Sequence, residues 1–292
     1  MKPAAFEFVR AGSIGEACAV LDREGDSVKL IAGGQSLVPL MAMRLVRPSL
    51  LLDINEIAAL KFIAVEPHEV RIGACTRQVL IERDDALATR VPLLRQALAW
   101  VGHVQTRNRG TIGGSLVHAD PCAELPQVAQ VLEAEMMLRS STGSRKVAAS
   151  EFFAGPMMSA TTSGECLEEI RWPLWEQRRT GSAFSEISVR HGDFALVCAA
   201  AQVALGEDGR CVRAAFGLGG VGQTPLAFPQ LARQLLGSRL DEESIRSVAH
   251  AAAALTEPGN DLFANADYRR HLARVYAERV LRAARDDAQG RS

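Results

Sequence analysis

Apolar and polar positions alternate along this chain in short blocks, and the spacing inside each block predicts an element. Ser13-Ile14-Gly15-Glu16 is a capping-box pattern, and residues 17–21 continue it as a helix ending near Gly25. The mostly apolar run 28–32 predicts a buried strand, leading straight into Gly33-Gly34-Gln35-Ser36 and then an apolar stretch, 37–45, expected to be helical. Residues 50–54 and 70–72 predict further strands, the second closing at Gly73. Helical spacing resumes over 87–101, with Pro92 marking a break. Residues 105–120 are polar and glycine-rich and are expected to be the densest irregular segment. Beyond them, 123–132 predict a helix and 135–139 a strand entering a turn at 140–144.

After residue 173 the texture changes. Residues 195–205 and 213–217 predict two antiparallel strands joined by the turn Gly206-Glu207-Asp208-Gly209. Two helices follow, one from Asp241 as N-cap to about 255 and one from 268 to about 285. Residues 172–179 make the best linker, and no internal repeat or low-complexity run occurs. The succession of strands and helices points to an α/β or α+β protein with an N-terminal ligand-binding region and a smaller C-terminal domain.

Composition narrows the function. The chain has 292 residues, enough for two or three domains, and its 48% hydrophobic content can build a large core. Thirty-three Lys and Arg balance thirty-four Asp and Glu with no basic stripe, which weighs against nucleic acid or a membrane surface as the main partner. No run of about 18 apolar residues is present to span a bilayer. An acid as early as Glu7 argues against a signal peptide, so a cytoplasmic location is expected. The six cysteines (18, 75, 122, 166, 198 and 211) include no C-x-x-C, and the six histidines include no H-E-x-x-H. The expectation is therefore reduced, structural thiols and no metal held by this chain.

Two glycine-rich loops carry the candidate chemistry. The first is Ala32-Gly33-Gly34-Gln35-Ser36-Leu37, between a strand and a helix; the second is Arg109-Gly110-Thr111-Ile112-Gly113-Gly114-Ser115. Paired glycines let a backbone approach a ligand and turn successive N–H groups toward it as an anion-binding nest. Ser36, Thr111 and Ser115 add hydroxyl donors suited to phosphate oxygens. Neither loop continues as G-K-[ST], so a statically held pyrophosphate fits better than a transferred phosphate on magnesium; each loop taken singly could also be a simple tight turn. Gly217-Leu218-Gly219-Gly220-Val221-Gly222 formally matches G-x-G-x-x-G, but Pro225 and Pro229 forbid the helix that a dinucleotide fingerprint needs, and a turn is expected there. His118-Ala119-Asp120 could be read as a base and its orienter, but no nucleophile elbow accompanies it. His103, His191 and Asp193 read as loop or surface groups, and no catalytic constellation is evident.

Together, Ala32 to Pro39 and Arg107 to Ser115 resemble the two FAD-binding loops of the molybdenum hydroxylase flavoprotein subunits, a family that includes the medium subunit of carbon monoxide dehydrogenase and the flavin domain of xanthine dehydrogenase. Ile72-Gly73-Ala74 before Thr76, His118-Ala119-Asp120-Pro121, and Arg190-His191-Gly192-Asp193-Phe194-Ala195 add to the match, in the family's order and over nearly the whole chain. The resemblance implies an α+β protein. Residues 1–175 would form a two-part FAD-binding fold of the vanillyl-alcohol-oxidase (PCMH) type, with subdomains of about 1–56 and 57–175, and 180–288 a small C-terminal α+β domain with an antiparallel sheet. It implies non-covalent FAD, its pyrophosphate on both glycine loops, with Glu124 near the ribityl-adenosine part and Leu167 near the flavin or adenine. It further implies an electron-transfer subunit of a heterotrimer, receiving electrons from a small subunit with two [2Fe–2S] clusters. A large subunit would hold the molybdenum cofactor, and a terminal acceptor would take the electrons on. A self-contained flavin oxidase and a scaffold without flavin are the competing readings.

Two departures from the family pattern matter. Ser115 stands where relatives often have asparagine. The segment Phe184-Ser185-Glu186-Ile187-Ser188-Val189-Arg190 carries no lysine and one arginine, where many relatives have a lysine near the flavin and two adjacent arginines. Losing that positive charge is expected to disfavour the anionic reduced flavin and lower its potential.

Overall fold

A computed structural model describes residues 2–291. The first subregion is a three-stranded parallel sheet of β1 (Glu7–Arg10), β2 (Val28–Ile31) and β3 (Leu50–Asp53), in the order β1-β3-β2. Helix α1 (Ile14–Glu24) crosses from β1 to β2, and the short α2 (Leu37–Ala42) lies between β2 and β3. Ser13 caps α1 by accepting from the Glu16 N–H, as its sequence predicts, while the Glu16 carboxylate accepts from the Gly12 N–H, one residue before the N-cap N–H that a capping box uses. Strand β2 is not the buried strand its apolar run suggests. It lies at the sheet edge with Lys29 exposed, while the central β3 is buried throughout.

The second subregion is built on a five-stranded antiparallel sheet in the order β4-β5-β10-β6-β7. Its strands are β4 (Ile63–Val65), β5 (Glu69–Gly73), β6 (Glu135–Ser140), β7 (Gly143–Ala148) and, far along the chain, β10 (Cys166–Pro173). The small hairpin β8 (Phe153–Gly155) and β9 (Met158–Ser159) precedes β10. One face of the sheet carries α3 (Gln78–Arg83), α4 (Asp85–Arg90), α5 (Pro92–Leu98), α6 (Val104–Arg109), α7 (Ile112–His118), α8 (Glu124–Val131) and the short α9 (Ala149–Phe152). Pro92 does break the helical run, as the first residue of α5, where its missing N–H costs no helical bond. The expectation of an irregular segment at 105–120 is overturned, because it folds as α6 and α7. Their glycines tolerate helical dihedrals, and α7 buries Ile112 and Leu116 in the core, where burial outweighs weak local propensity.

The third subregion is a four-stranded antiparallel sheet of β11 (Arg179–Ser188), β12 (Ala195–Leu205), β13 (Cys211–Gly219) and β14 (Leu226–Ala227), in chain order. One face is covered by α11 (Glu242–Ala254) and the 25-residue α12 (Ala266–Gly290), with α10 (Pro229–Arg233) at the side. Asp241 and Asn265 cap the two long helices through their side chains. The G-x-G-x-x-G segment is likewise not a simple turn. Gly217 and Gly219 lie within β13, and a Cβ on Gly217 would overlap the Leu226 carbonyl and Gln127 Nε2, so these glycines let α8 approach the sheet. Strand β11, whose mixed polar and apolar residues carried no clear period, pairs with β12 over its whole length.

On β11 the backbone of Gly181 touches α12, where a Cβ would overlap the Ala284 carbonyl and the Ala288 N–H. Gly181→Val is expected to cost about 3 kcal/mol by overpacking. That corresponds to a melting temperature lowered by roughly 6–12 °C in thermal unfolding followed by circular dichroism.

Candidate functional site

Loop one is the turn from β2 into α2, and loop two the turn from α6 into α7. Their contact is the centre of the site. A Cβ on Gly33 would lie 2.5 Å from the Arg109 carbonyl oxygen and 2.8 Å from the Gly110 Cα, so the two backbones meet where only glycine fits. Asn55 braces loop one by donating its side-chain N–H to the Ala32 carbonyl at 2.8 Å, and its own carbonyl oxygen accepts from Arg77 at 2.6 Å. Arg77 also donates to the Arg109 carbonyl, so one guanidinium ties both loops together. Burial lowers the Arg77 pKa, but a guanidinium stays charged at any physiological pH.

The two loops are not equivalent. In loop one, Gly34 adopts φ +69°, and the N–H groups of 33–37 donate to no acceptor among the described residues. This is the nest of free donors that an anion requires. Loop two spends its N–H groups inside the protein. Ile112 donates to the Thr76 carbonyl (3.1 Å), Gly113 to the Ala74 carbonyl (2.9 Å) and Gly114 to the Thr111 hydroxyl (3.2 Å). A Cβ on Gly113 would lie 2.6 Å from Ala74 Cβ, so this glycine serves close docking onto the end of β5. Loop one thus keeps its N–H groups unpaired among the described residues, whereas loop two, contrary to the expectation, uses its own inside the protein.

Between and beside the loops lies a cavity of about 820 Å³, within the usual range for a small-molecule or cofactor site. Of the candidate residues, Ala32, Gly33, Gly34, Gln35, Ser36, Leu37, Thr111, Gly113, Gly114, Ser115, Glu124 and Leu167 all line it. Ile112 does not; its side chain is fully buried in the core of the second subregion. The walls also include residues that carried no site signal in the sequence, among them Gln78, Cys75, Cys166, Thr106 and Val101. Gln78 is buried with its side-chain carbonyl lacking a donor among the described residues. It comes from the residue after Arg77, and nothing in a single sequence marks such a side chain.

The far end of the cavity is closed by the third subregion. Gly192, Asp193 and Phe194, on the loop between β11 and β12, join Val101, Gly102, His118, Asp120 and Glu124 in its wall. His191 stacks on Trp100 with ring centroids 5.4 Å apart, and Gly192 (φ +90°) packs on the His103 ring. His103 and His191 are exposed, as expected, and their rings also pack against Trp100 and this loop, a pairing that only the tertiary fold reveals.

Charge in the cavity is sparse and mostly negative. Lys29 and His118 are its basic side chains among the described residues, against Asp120, Glu124 and Asp193. A phosphate here would rest on backbone N–H groups rather than on arginine or lysine. Glu124, the first residue of α8, is buried, and burial pushes its pKa up to about 7. Asp120 adds to that rise, while its own carboxylate accepts from the Cys122 N–H at 2.8 Å. A second cavity of about 540 Å³ lies against the other side of loop one, walled by Phe8, Val38, Asp53, Asn55 and Arg109. Among the described residues no cluster of three or more His, Cys, Asp or Glu could hold a metal, and no helix is long and apolar enough to cross a membrane.

These features fit FAD: a cavity of about 820 Å³, one run of unpaired donors for a pyrophosphate, and loops in backbone contact. Comparison with known proteins agrees. Residues 4–175 match the family described as FAD binding domain in molybdopterin dehydrogenase, and residues 182–284 match the CO dehydrogenase flavoprotein C-terminal domain. The chain is 40% identical over 281 residues to the 6-hydroxypseudooxynicotine dehydrogenase complex subunit alpha of Paenarthrobacter nicotinovorans, covering 96% of this chain and 95% of that one. It is 35% identical to the carbon monoxide dehydrogenase medium chain of Afipia carboxidovorans, covering 99% and 100%. Among solved structures, carbon monoxide dehydrogenase from Hydrogenophaga pseudoflava lacking the Mo-pyranopterin moiety superposes with a TM-score of 0.95 at 35% identity, over 98% of this chain and 99% of that one.

Proposed function

The chain belongs to the family that joins the FAD binding domain of molybdopterin dehydrogenases to the CO dehydrogenase flavoprotein C-terminal domain, and from that membership we propose that it receives electrons from [2Fe–2S] clusters on FAD and passes them to a terminal acceptor. It is an oxidoreductase component, the FAD-bearing medium subunit of a multi-subunit molybdenum hydroxylase, in which molybdenum and iron–sulfur centres belong to partner subunits. The partners in this reading are a [2Fe–2S] small subunit and a molybdenum-cofactor large subunit. Residues 1–175 form the cofactor-binding region and 180–288 the C-terminal region.

The observation that carries this reading is the pair of loops, one offering free N–H donors and the other docked against it. Bound FAD supplies the capacity to take up and release electrons. The chain's own residues bind and orient it. The N–H groups of loop one hold the pyrophosphate, with Ser36 and Ser115 adding hydroxyl donors. Leu167 offers an apolar wall, buried in β10. Glu124 closes the end nearest the third subregion, and the Asn55–Arg77 brace keeps the two loops from separating. No residue is assigned an acid–base role in this electron transfer.

The test is the visible spectrum of the purified chain, with the cofactor released by heat and identified. Flavin bands with one equivalent of FAD and no iron are expected. A colourless chain that takes up no added FAD, even with its partner subunits present, would overturn the reading in favour of a scaffold.

A further inference from the structure

Two buried carboxyl groups, one in the cavity wall and one behind it, act on one another. Alternation along β11 turns Ala183 and Ile187 into the core under α12, and Ser182 and Phe184 toward α5, where Gln96 bonds Ser182. Glu186 shares the Ser182 face. In the antiparallel register it stands opposite Cys198 of β12, which stands opposite Gly219 of β13. That row lies under the start of α8, since a Cβ on Gly219 would be 2.6 Å from the Cys198 sulfur, 3.4 Å from the Pro121 carbonyl and 3.5 Å from Gln127 Oε1. Glu124, three residues before Gln127, shares that face of α8.

Glu186 is 3% exposed, and neither of its carboxyl oxygens has a hydrogen-bond partner among the described residues. The groups around it do not offset a negative charge. Cys198 faces it from β12 and Glu124 acts on it from α8. Asp120 and Arg107 act on Glu124, while the buried Arg269 of α12, which acts on Cys122, is engaged by the Leu196 and Gly220 carbonyls and by Asp261. Alpha-helix α5 contributes only the neutral Gln96. A buried carboxylate with no donor and no counter-ion is costly, so the group keeps its proton instead. Burial, with the Glu124 charge second, pushes the Glu186 pKa up to about 8.

We propose that Glu124, in the wall of the FAD cavity, and Glu186, buried behind it, together form a proton store, so that FAD binding is coupled to protonation of this pair. The inference rests on the FAD reading above and goes beyond it. The pyrophosphate brings negative charge into a site whose wall holds Glu124, with Glu186 buried behind it. Each carboxylate that must stay ionised repels it, and each that takes up a proton does not. FAD therefore binds best when the pair is protonated. Its affinity falls as pH rises through the range 7 to 9, approaching tenfold per pH unit for each linked proton. In Glu186→Gln, which keeps the shape and loses the titration, the part of the decline due to Glu186 disappears and only the part due to Glu124, raised by its own burial, remains.

The experiment measures the dissociation constant of FAD from the full-length apoprotein between pH 6 and 9, for the native chain and for Glu186→Gln. A steep fall in affinity in the native chain and a shallow one in the variant is the expected result. Equal slopes, or affinity rising with pH, would overturn the proton store while leaving FAD binding intact. No FAD uptake at any pH would overturn the FAD reading and this proposal with it. An infrared titration of the native apoprotein needs no variant. The carbonyl stretch of a protonated carboxyl persists at pH 7 and fades by pH 9, and its absence at pH 7 would refute the proposal.

Discussion

Gly33→Asp combined with Gly113→Asp yields a colourless chain, with flavin occupancy below about a tenth of the native level, equivalent to losing more than about 1.4 kcal/mol of binding. The two substitutions act by different routes. At position 33 a side chain would drive into the Arg109 carbonyl and the Gly110 Cα, prying loop one from loop two and scattering the unpaired N–H groups of loop one. A carboxylate there also places negative charge where the pyrophosphate must sit. At position 113 the obstacle is Ala74, whose Cβ and carbonyl lie 2.6 and 2.7 Å from the added Cβ. Loop two must lift off β5 and give up the Gly113 to Ala74 hydrogen bond. Gly259→Asp is the control, because a Cβ there meets nothing within 4 Å. FAD released by heat and quantified by fluorescence, beside the melting temperature of each variant, separates a lost site from a lost fold. Full occupancy in the double variant would refute the assigned site.

The apoprotein loses stability between pH 5 and 8.5, and Glu186→Gln removes most of that loss. The sign follows from the direction of the shift. A glutamate whose folded pKa is raised to about 8 keeps its proton in the folded chain while the unfolded chain has released it. Folding thus binds a proton in this window, and stability falls as pH rises, levelling off above the folded pKa. Glu124, pushed up to about 7, adds in the same direction. Glu165 and Glu169 behave oppositely. Their pKa values are lowered, Glu165 to about 2 by Arg145, so their contribution is fully present above the ordinary carboxylate range and constant across this window. The full effect is on the order of 3 kcal/mol. Urea unfolding of the native chain and the variant at pH 5.5 and 8.5 measures it. Equal stability of the native chain at the two pH values would contradict a protonated Glu186.

Much of the molecule is legible in the residues. The N-caps at Ser13 and Asp241 and the break at Pro92 are local devices, and each acts over a few residues whose chemistry is complete in the sequence. The β12–β13 hairpin is legible for the same reason, since its turn and its two apolar strands are neighbours in the chain. The two glycine loops also stand out, because paired glycines let two backbones approach where a side chain would not fit.

What the tertiary structure alone decided are the events between distant segments. Whether a glycine-rich stretch is a loop or a helix depends on the core it meets, and Ile112 and Leu116 found one in the second subregion. Whether a glycine N–H is free for a ligand depends on the strand end beside it, and Ala74 and Thr76 occupy those of loop two. His191 and Trp100 are 91 positions apart, and Glu186 and Glu124 are 62 apart. A single sequence carries no record of such pairings, because burial and charge repulsion act through space, and only the folded chain sets which residues share that space.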